Sequence, residues 1–328
     1  MNNRRKLLVT LGAGALAFAA PPGSFGQQQG KVWRVGFLSP TSASFSSPYT
    51  DVFLKGMRDL GYVEGKNLVV EWRFADGKLE RLPGLAAELV QLKVDVIVTG
   101  GSPAISAAQK ATSTIPIVMT TAGDPVGSGF VKSLARPGGN ITGLSVMSGD
   151  TSAKLLELLR SVVPKLSRVA MLTPSTTYGP LSKGVQAAAQ KAGVKSLVAE
   201  ASTPQEIENA FSMMVREKAD AVIVGSPTTF AQQHRQIAEL ALKYRMPSMF
   251  QDRVYVEAGG FMGYGQKFTD NYERSATYVD KIFKGAKAGD LPIEQPTKFE
   301  LVINLKTAKT LGLTIPPSVL LRADEVIQ

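Results

Sequence analysis

The sequence predicts an α/β protein of two doubly wound parallel-sheet lobes joined by a hinge, and three observations predict it. The chain repeats itself once, each repeat alternates strand-like and helix-like segments, and the strand segments are apolar on both faces. Arg34-Val35-Gly36-Phe37-Leu38-Ser39-Pro40-Thr41-Ser42 is echoed by Arg168-Val169-Ala170-Met171-Leu172-Thr173-Pro174-Ser175-Thr176. Asp95-Val96-Ile97-Val98, closing on Gly101-Ser102-Pro103, is matched by Asp220-Ala221-Val222-Ile223-Val224, closing on Gly225-Ser226-Pro227. Ile115-Pro116-Ile117-Val118 is matched by Met246-Pro247-Ser248-Met249. Four matches in one order, counting the amphipathic segments that end at Gly61 and Gly193, point to two similarly built halves.

Each half reads as strand, helix, strand, helix. Short Val/Ile-rich runs with no polar face are the mark of buried parallel strands. Helix starts are written as Ser102 before Pro103, Ser226 before Pro227, and the capping box Thr203-x-x-Glu206 with Pro204 in the first turn. Strands and helices alternating at this pitch give parallel sheets with helices on both faces. Ligands of such sheets bind beyond the carboxyl ends of the strands. The paired polar loops therefore place Thr41, Ser42 and Ser102 of one half, and Ser175, Ser226 and Thr228 of the other, on two walls of one expected cleft.

Composition excludes several function classes. The 328 residues are 44% hydrophobic and 20% charged, which is ordinary for a globular chain with a sizeable core. With no cysteine and a single histidine, His234, disulfides, thiolate chemistry and multi-histidine metal centres are ruled out. The net charge of +10 owes three units to Arg4, Arg5 and Lys6, and the other basic residues alternate with acids. No nucleic-acid partner is expected from such a pattern. Residues 1–26 read as a signal peptide, with a basic head, the apolar run Leu7–Ala20 and a small-residue exit at Ser24 and Gly26. The expectation is an exported protein, through the general secretory or the twin-arginine route.

Enzyme signatures are missing. The chain contains no Gly-x-x-x-x-Gly-Lys-Ser/Thr loop, no Gly-x-Ser-x-Gly elbow and no His-Glu-x-x-His pair. His234 stands among polar residues and reads as a solvent-facing residue in mid-helix. No cofactor, metal or catalytic residue is expected. Binding readings remain open residue by residue. Ser102 and Ser226 either cap helices or offer donors to a ligand, and the two roles are compatible. Thr121 and Asp124 follow the fourth strand of the first half, where Asp124 either takes an ammonium or caps a turn with Pro125. Asp252 is the other candidate for an ammonium. Phe45, Tyr178, Phe230, Phe250 and Tyr264 each follow a strand and either stack on a ligand or pack in the core, with Tyr178 and Tyr264 taken as covers on opposite walls.

Two segments carry a family resemblance. Gly123-Asp124-Pro125-Val126 with Leu134-Ala135-Arg136-Pro137-Gly138-Gly139-Asn140-Ile141-Thr142-Gly143 is the first. The second is the tail Leu291-Pro292-Ile293-Glu294-Gln295-Pro296-Thr297-Lys298-Phe299-Glu300-Leu301-Val302-Ile303-Asn304, with Leu311-Gly312-Leu313-Thr314-Ile315-Pro316-Pro317. From Val32 onward the chain resembles the ABC-transporter substrate-binding family that includes tryptophan- and phenylalanine-binding lipoproteins. The resemblance implies a type I periplasmic-binding-protein fold that captures a small solute and delivers it to a membrane permease and its ATPase. It also implies three crossings between lobes, expected at Gly143–Met147, Gly259–Gly265 and Asp290–Gln295. The expected division is 32–143 plus 259–290 for one lobe and 144–258 plus 291–328 for the other. The family's lipidation cysteine is absent, which implies a freely diffusing periplasmic monomer without a membrane anchor. A periplasmic ligand-sensing subunit of a membrane receptor is the alternative. The expected solute is an amino acid or a related compound.

Overall fold

A computed structural model describes residues 31–146, 151–174, 180–225 and 227–328. The first half runs β1 (Trp33–Ser39), α1 (Ala43–Asp59), β2 (Leu68–Phe74), α2 (Leu82–Gln91), β3 (Val96–Thr99), α3 (Ser102–Ala111), β4 (Ile117–Ala122) and β5 (Ile141–Ser145). The second runs α4 (Ser152–Val162), β6 (Arg168–Thr173), α5 (Pro180–Lys191), β7 (Lys195–Glu200), α6 (Pro204–Arg216), β8 (Ala221–Val224), α7 (His234–Lys243), β9 (Ser248–Phe250), α8 (Arg253–Glu257) and β10 (Met262–Gly265). Then follow α9 (Phe268–Phe283), β11 (Glu300–Asn304), α10 (Leu305–Leu311), α11 (Pro317–Leu320) and β12 (Glu325–Ile327).

The strands form two sheets. A five-stranded parallel sheet has the order β2-β1-β3-β4-β5, and a seven-stranded one has the order β12-β11-β10-β9-β8-β6-β7. In the second sheet β11 runs antiparallel to β10, a departure from the purely parallel pairing expected. Alternation along each strand feeds two cores. Val96 and Val98 enter the layer of Phe37 and Phe53, while Ile97 enters that of Leu38 and Leu89. In β6, Val169 and Met171 face one layer and Ala170 and Leu172 the other. Each large apolar side chain removed from water in this way contributes about 1.5–3 kcal/mol.

The internal repeat has a physical basis. Asp95 and Asp220 use one carboxylate oxygen to accept the backbone N–H of Arg34 and Arg168, each at 2.8 Å, across 61 and 52 residues. The backbone N–H of each aspartate returns a bond to the same arginine's carbonyl, at 2.8 and 2.9 Å. The two pairs thus set the start of β1 against β3 and of β6 against β8 by the same device. The Thr203 capping box is present at the start of α6 as well.

The lobe boundaries depart from the expected ones. Residues 259–265 do not join the first lobe, because β10 pairs with β9 and β11 in the seven-stranded sheet. The chain changes lobe after Gly265, and α9 then packs in the first lobe. Asn271 donates to the Thr120 carbonyl at 2.9 Å, and Phe283 stacks on Trp33 at 4.1 Å between ring centres. Residues 291–294 also stay with the first lobe. Ile293 is buried in its core, and the Glu294 N–H bonds the Gly143 carbonyl at 3.0 Å. Apolar anchoring, which glycine and proline content does not report, decides where each crossing falls.

Candidate functional site

The carboxyl ends of both sheets open on one cavity of about 650 Å³ between the lobes, within the range of small-molecule sites. Its first wall is built where β1, β3 and β4 end. Ser39, Thr41 and Ser46 are buried and share hydrogen bonds among their hydroxyls, at 3.0, 3.0 and 2.8 Å. After β3 the chain turns into α3 through Gly101, whose φ of +79° is the left-handed region that glycine adopts without strain. Gly101 is the cap residue there, so Ser102 stands at the first helical position and is not the cap expected. The Thr121 hydroxyl accepts the Gly101 N–H at 3.0 Å. Tyr272 of α9 reaches the same corner, where burial raises its phenol and hydrogen bonds to Thr120 and Thr121 oppose that rise.

The second wall is built where β8, β9 and β10 end. Thr228 and Thr229 follow Pro227 in a short 3-10 turn, and Gln251 and Asp252 follow β9. Gln251 donates to the Thr151 hydroxyl at 2.8 Å. Asp252 caps α8 by accepting the Val254 N–H at 3.1 Å, and is only 7% exposed. Burial pushes its carboxyl up to about 7, and the nearby Glu257 and Glu300 push the same way. The Val254 N–H and Arg253 pull it back. Among the described residues lining the cavity, Asp252 is the single carboxylate, and no lysine, arginine or histidine joins it. Its field reaches Tyr49 of α1 across the cleft, whose phenol is raised by burial first and by Asp252 next.

The walls touch at the rim. With the Gln232 carboxamide turned so that its oxygen meets donors, that oxygen accepts the backbone N–H groups of Ser42 and Gly77, each at 3.2 Å. The Phe45 ring lies 5.5 Å from that of His234, which sits 6.2 Å from the Tyr255 ring. Gly101 comes so close to Thr228 that a side-chain carbon at Gly101 would collide with the threonine hydroxyl. His234 is therefore not a solvent-facing residue in mid-helix. It opens α7, is half-buried, and donates from Nδ1 to the Ala231 carbonyl at 2.8 Å.

Of the residues expected from sequence, the structure brings Thr41, Ser102, Thr121, Thr228 and Asp252 together around the cavity, and Phe45 with them. Ser42, Asp124 and Tyr264 are not part of the lining. Ser42 caps α1 through the Phe45 N–H. Asp124 is exposed and accepts the Gly127 N–H at 2.8 Å, which is the turn-capping role. Tyr264 stacks behind Phe299, the ring that does reach the cavity, at 5.7 Å. Phe230 and Phe250 are core residues. Ser175, Tyr178 and Ser226 lie outside the described residues. Sequence reasoning missed Tyr49, Gln251, Gln266, Tyr272 and Phe299. The spacing of Phe45 to Tyr49 and of Phe268 to Tyr272, four residues each, puts each pair on one helix face and could have signalled two of them.

Two parallel-sheet lobes around a buried cleft with neutral donors on one wall and one acid on the other define a solute-binding protein. Residues 46–327 match the family described as ABC transporter substrate binding protein, and the chain belongs to that family. It is 27% identical over 264 residues to a tyrosine-binding protein of Clostridioides difficile, covering 80% of this chain and 75% of that one. A solved conserved domain protein from Vibrio cholerae superposes with a TM-score of 0.83 at 28% identity, over 90% of this chain and 100% of the other. An ABC domain from Streptococcus pneumonia in complex with L-Trp superposes with a TM-score of 0.82 at 26% identity, over 90% and 99%. Among the described residues no helix is long and apolar enough to cross a membrane.

Proposed function

We propose that this protein is the exported, periplasmic solute-capturing component of an ABC importer and that its solute is an α-amino acid. The carrying observation is the division of labour across the cleft. A buried Asp252 is the single charged group among the described lining residues, and hydroxyls and the exposed start of α3 line the same cavity. An ammonium leaving water needs a carboxylate partner. A carboxylate is met by hydroxyl donors, here Ser102 and Thr121 of the first wall, without a second full charge. The similar proteins of Clostridioides difficile and Streptococcus pneumonia, one named for tyrosine and one solved with L-Trp, support this reading.

Asp252, rather than Asp124, takes the ammonium on this account. The protein hands its solute to a permease driven by an ATPase. Isothermal calorimetry against amino acids and small organic acids tests the reading, with X-ray scattering to follow compaction. Saturable binding of an α-amino acid, lost with its N-acetyl derivative, is expected. Binding confined to non-amino compounds contradicts it.

A further inference from the structure

Gln266 is the one cavity-lining side chain among the described residues whose two polar atoms both stand buried and unpartnered. It is 6% exposed, and neither Oε1 nor Nε2 has a hydrogen-bond partner among the described residues. A buried carboxamide left in that state costs far more than it returns, so native proteins rarely keep one without a use. Its position is fixed rather than loose. Gly265, just before it, lies so close to the Gln251 carbonyl that no side chain fits there, and Gly265 pairs in register with Glu300. Gln266 thus leaves the seven-stranded sheet beside Phe299 and just before Phe268, both of which line the cavity.

We propose that Gln266 is a specificity-determining residue that reads a neutral polar group on the solute's side chain, most directly a ring-borne hydroxyl. The proposal rests on the amino-acid reading above and deepens it. The charged ends of an amino acid already have partners in Asp252 and the hydroxyl wall. The unmet amide instead lines the same cavity as Phe268 and Phe299, on the side where the solute's side chain would lie. A hydroxyl can donate to Oε1 or accept from Nε2, whereas a hydrocarbon ring satisfies neither. A site built to hydrogen-bond a hydroxyl discriminates strongly against the analogue that lacks it, because the site's own polar group is then left buried and unpaired.

Tyrosine and phenylalanine differ by that one hydroxyl and are the probes. Calorimetry on the full protein is expected to give a tyrosine preference of about tenfold or more over phenylalanine, the size of one buried hydrogen bond. Gln266→Met keeps the length and removes both polar atoms, and Gln266→Leu is a second apolar variant. Both should weaken tyrosine binding about tenfold to a hundredfold, leave phenylalanine within about threefold, and so erase the preference. A tyrosine-to-phenylalanine ratio unchanged in both variants, whether or not their melting temperature moves, overturns the assignment and leaves Gln266 a structural residue. If the parent protein binds other α-amino acids but neither of these two, the Gln266 assignment alone falls; if it binds no α-amino acid, the amino-acid reading fails and the assignment falls with it. The two failures are therefore distinguishable.

Discussion

The two walls of the cleft carry similar numbers of polar side chains but treat them in opposite ways. On the first wall Ser39, Thr41 and Ser46 satisfy one another, and Thr121 is engaged by the Gly101 N–H. The Ser39–Thr41–Ser46 cluster is thus closed on itself, and Ser102 at the exposed start of α3 is the part of that wall left open to a solute. The second wall holds a buried acid whose proton affinity is raised, and a Thr229 hydroxyl and a Gln266 amide that find no hydrogen-bond partner among the described residues. Polar groups left incomplete in this way destabilise the empty protein and are relieved by a ligand, which makes them the groups through which occupancy is felt. The contrast shows that presence in a cleft does not by itself make a residue a ligand contact. Whether its hydrogen bonds are already spent matters more.

The largest effect should come from breaking the second wall at its charge. Asp252→Asn keeps an acceptor for the Val254 N–H but removes the carboxylate. Loss of one partner of a buried charged pair costs about 2–5 kcal/mol, a thirtyfold to several-thousandfold rise in Kd by calorimetry. Next comes Gly101→Ala, which places a methyl against Thr228 where the walls meet, at a φ that alanine adopts only with strain. The closed arrangement should become unfavourable by about 1–3 kcal/mol, weakening binding about fivefold to a hundredfold and enlarging the radius of gyration with solute present. His234→Ala removes the ring between Phe45 and Tyr255 and should raise Kd about two- to tenfold, since an aromatic pair contributes about 0.5–1.5 kcal/mol. The smallest effect belongs to Asp124→Ala. It should lower the melting temperature slightly through the lost turn cap, about 0.5–2 kcal/mol, and leave Kd unchanged.

The same contrast explains what the sequence made legible. The α/β class, the duplicated lobes and the matched Arg34–Asp95 and Arg168–Asp220 pairs were readable, because local periodicity and spacing encode them. So was the hydroxyl wall, since short polar residues at strand ends recur in both halves. The two aspartates were not separable. Asp124 and Asp252 both follow strands and both accept a backbone N–H, and only burial, 7% exposure for Asp252 against an open turn for Asp124, singles out Asp252 as the proposed ammonium partner. Gln266 was invisible for a related reason. A glutamine's unmet hydrogen bonds are a property of its surroundings in space, as is the burial of Ile293 that holds the last crossing in the first lobe.

The pH dependence of amino-acid binding tests the central claim most directly. Burial raises the Asp252 carboxyl to about 7 in the empty protein, so below that pH the group holds a proton and an ammonium must displace it. The stability this group contributes to the empty fold is fully present below its ordinary pKa and is lost as pH rises through 7. Solute binding runs the other way, strengthening as the carboxylate forms. Calorimetry of the parent protein from pH 5.5 to 8.5 should show affinity falling about tenfold per unit below pH 7 and levelling above it, with proton release on binding at pH 6. Asp252→Asn should bind weakly with no such slope. A parent affinity that stays flat across this range, or the same slope in Asp252→Asn, would contradict the assignment of Asp252 as the group that receives the solute's ammonium.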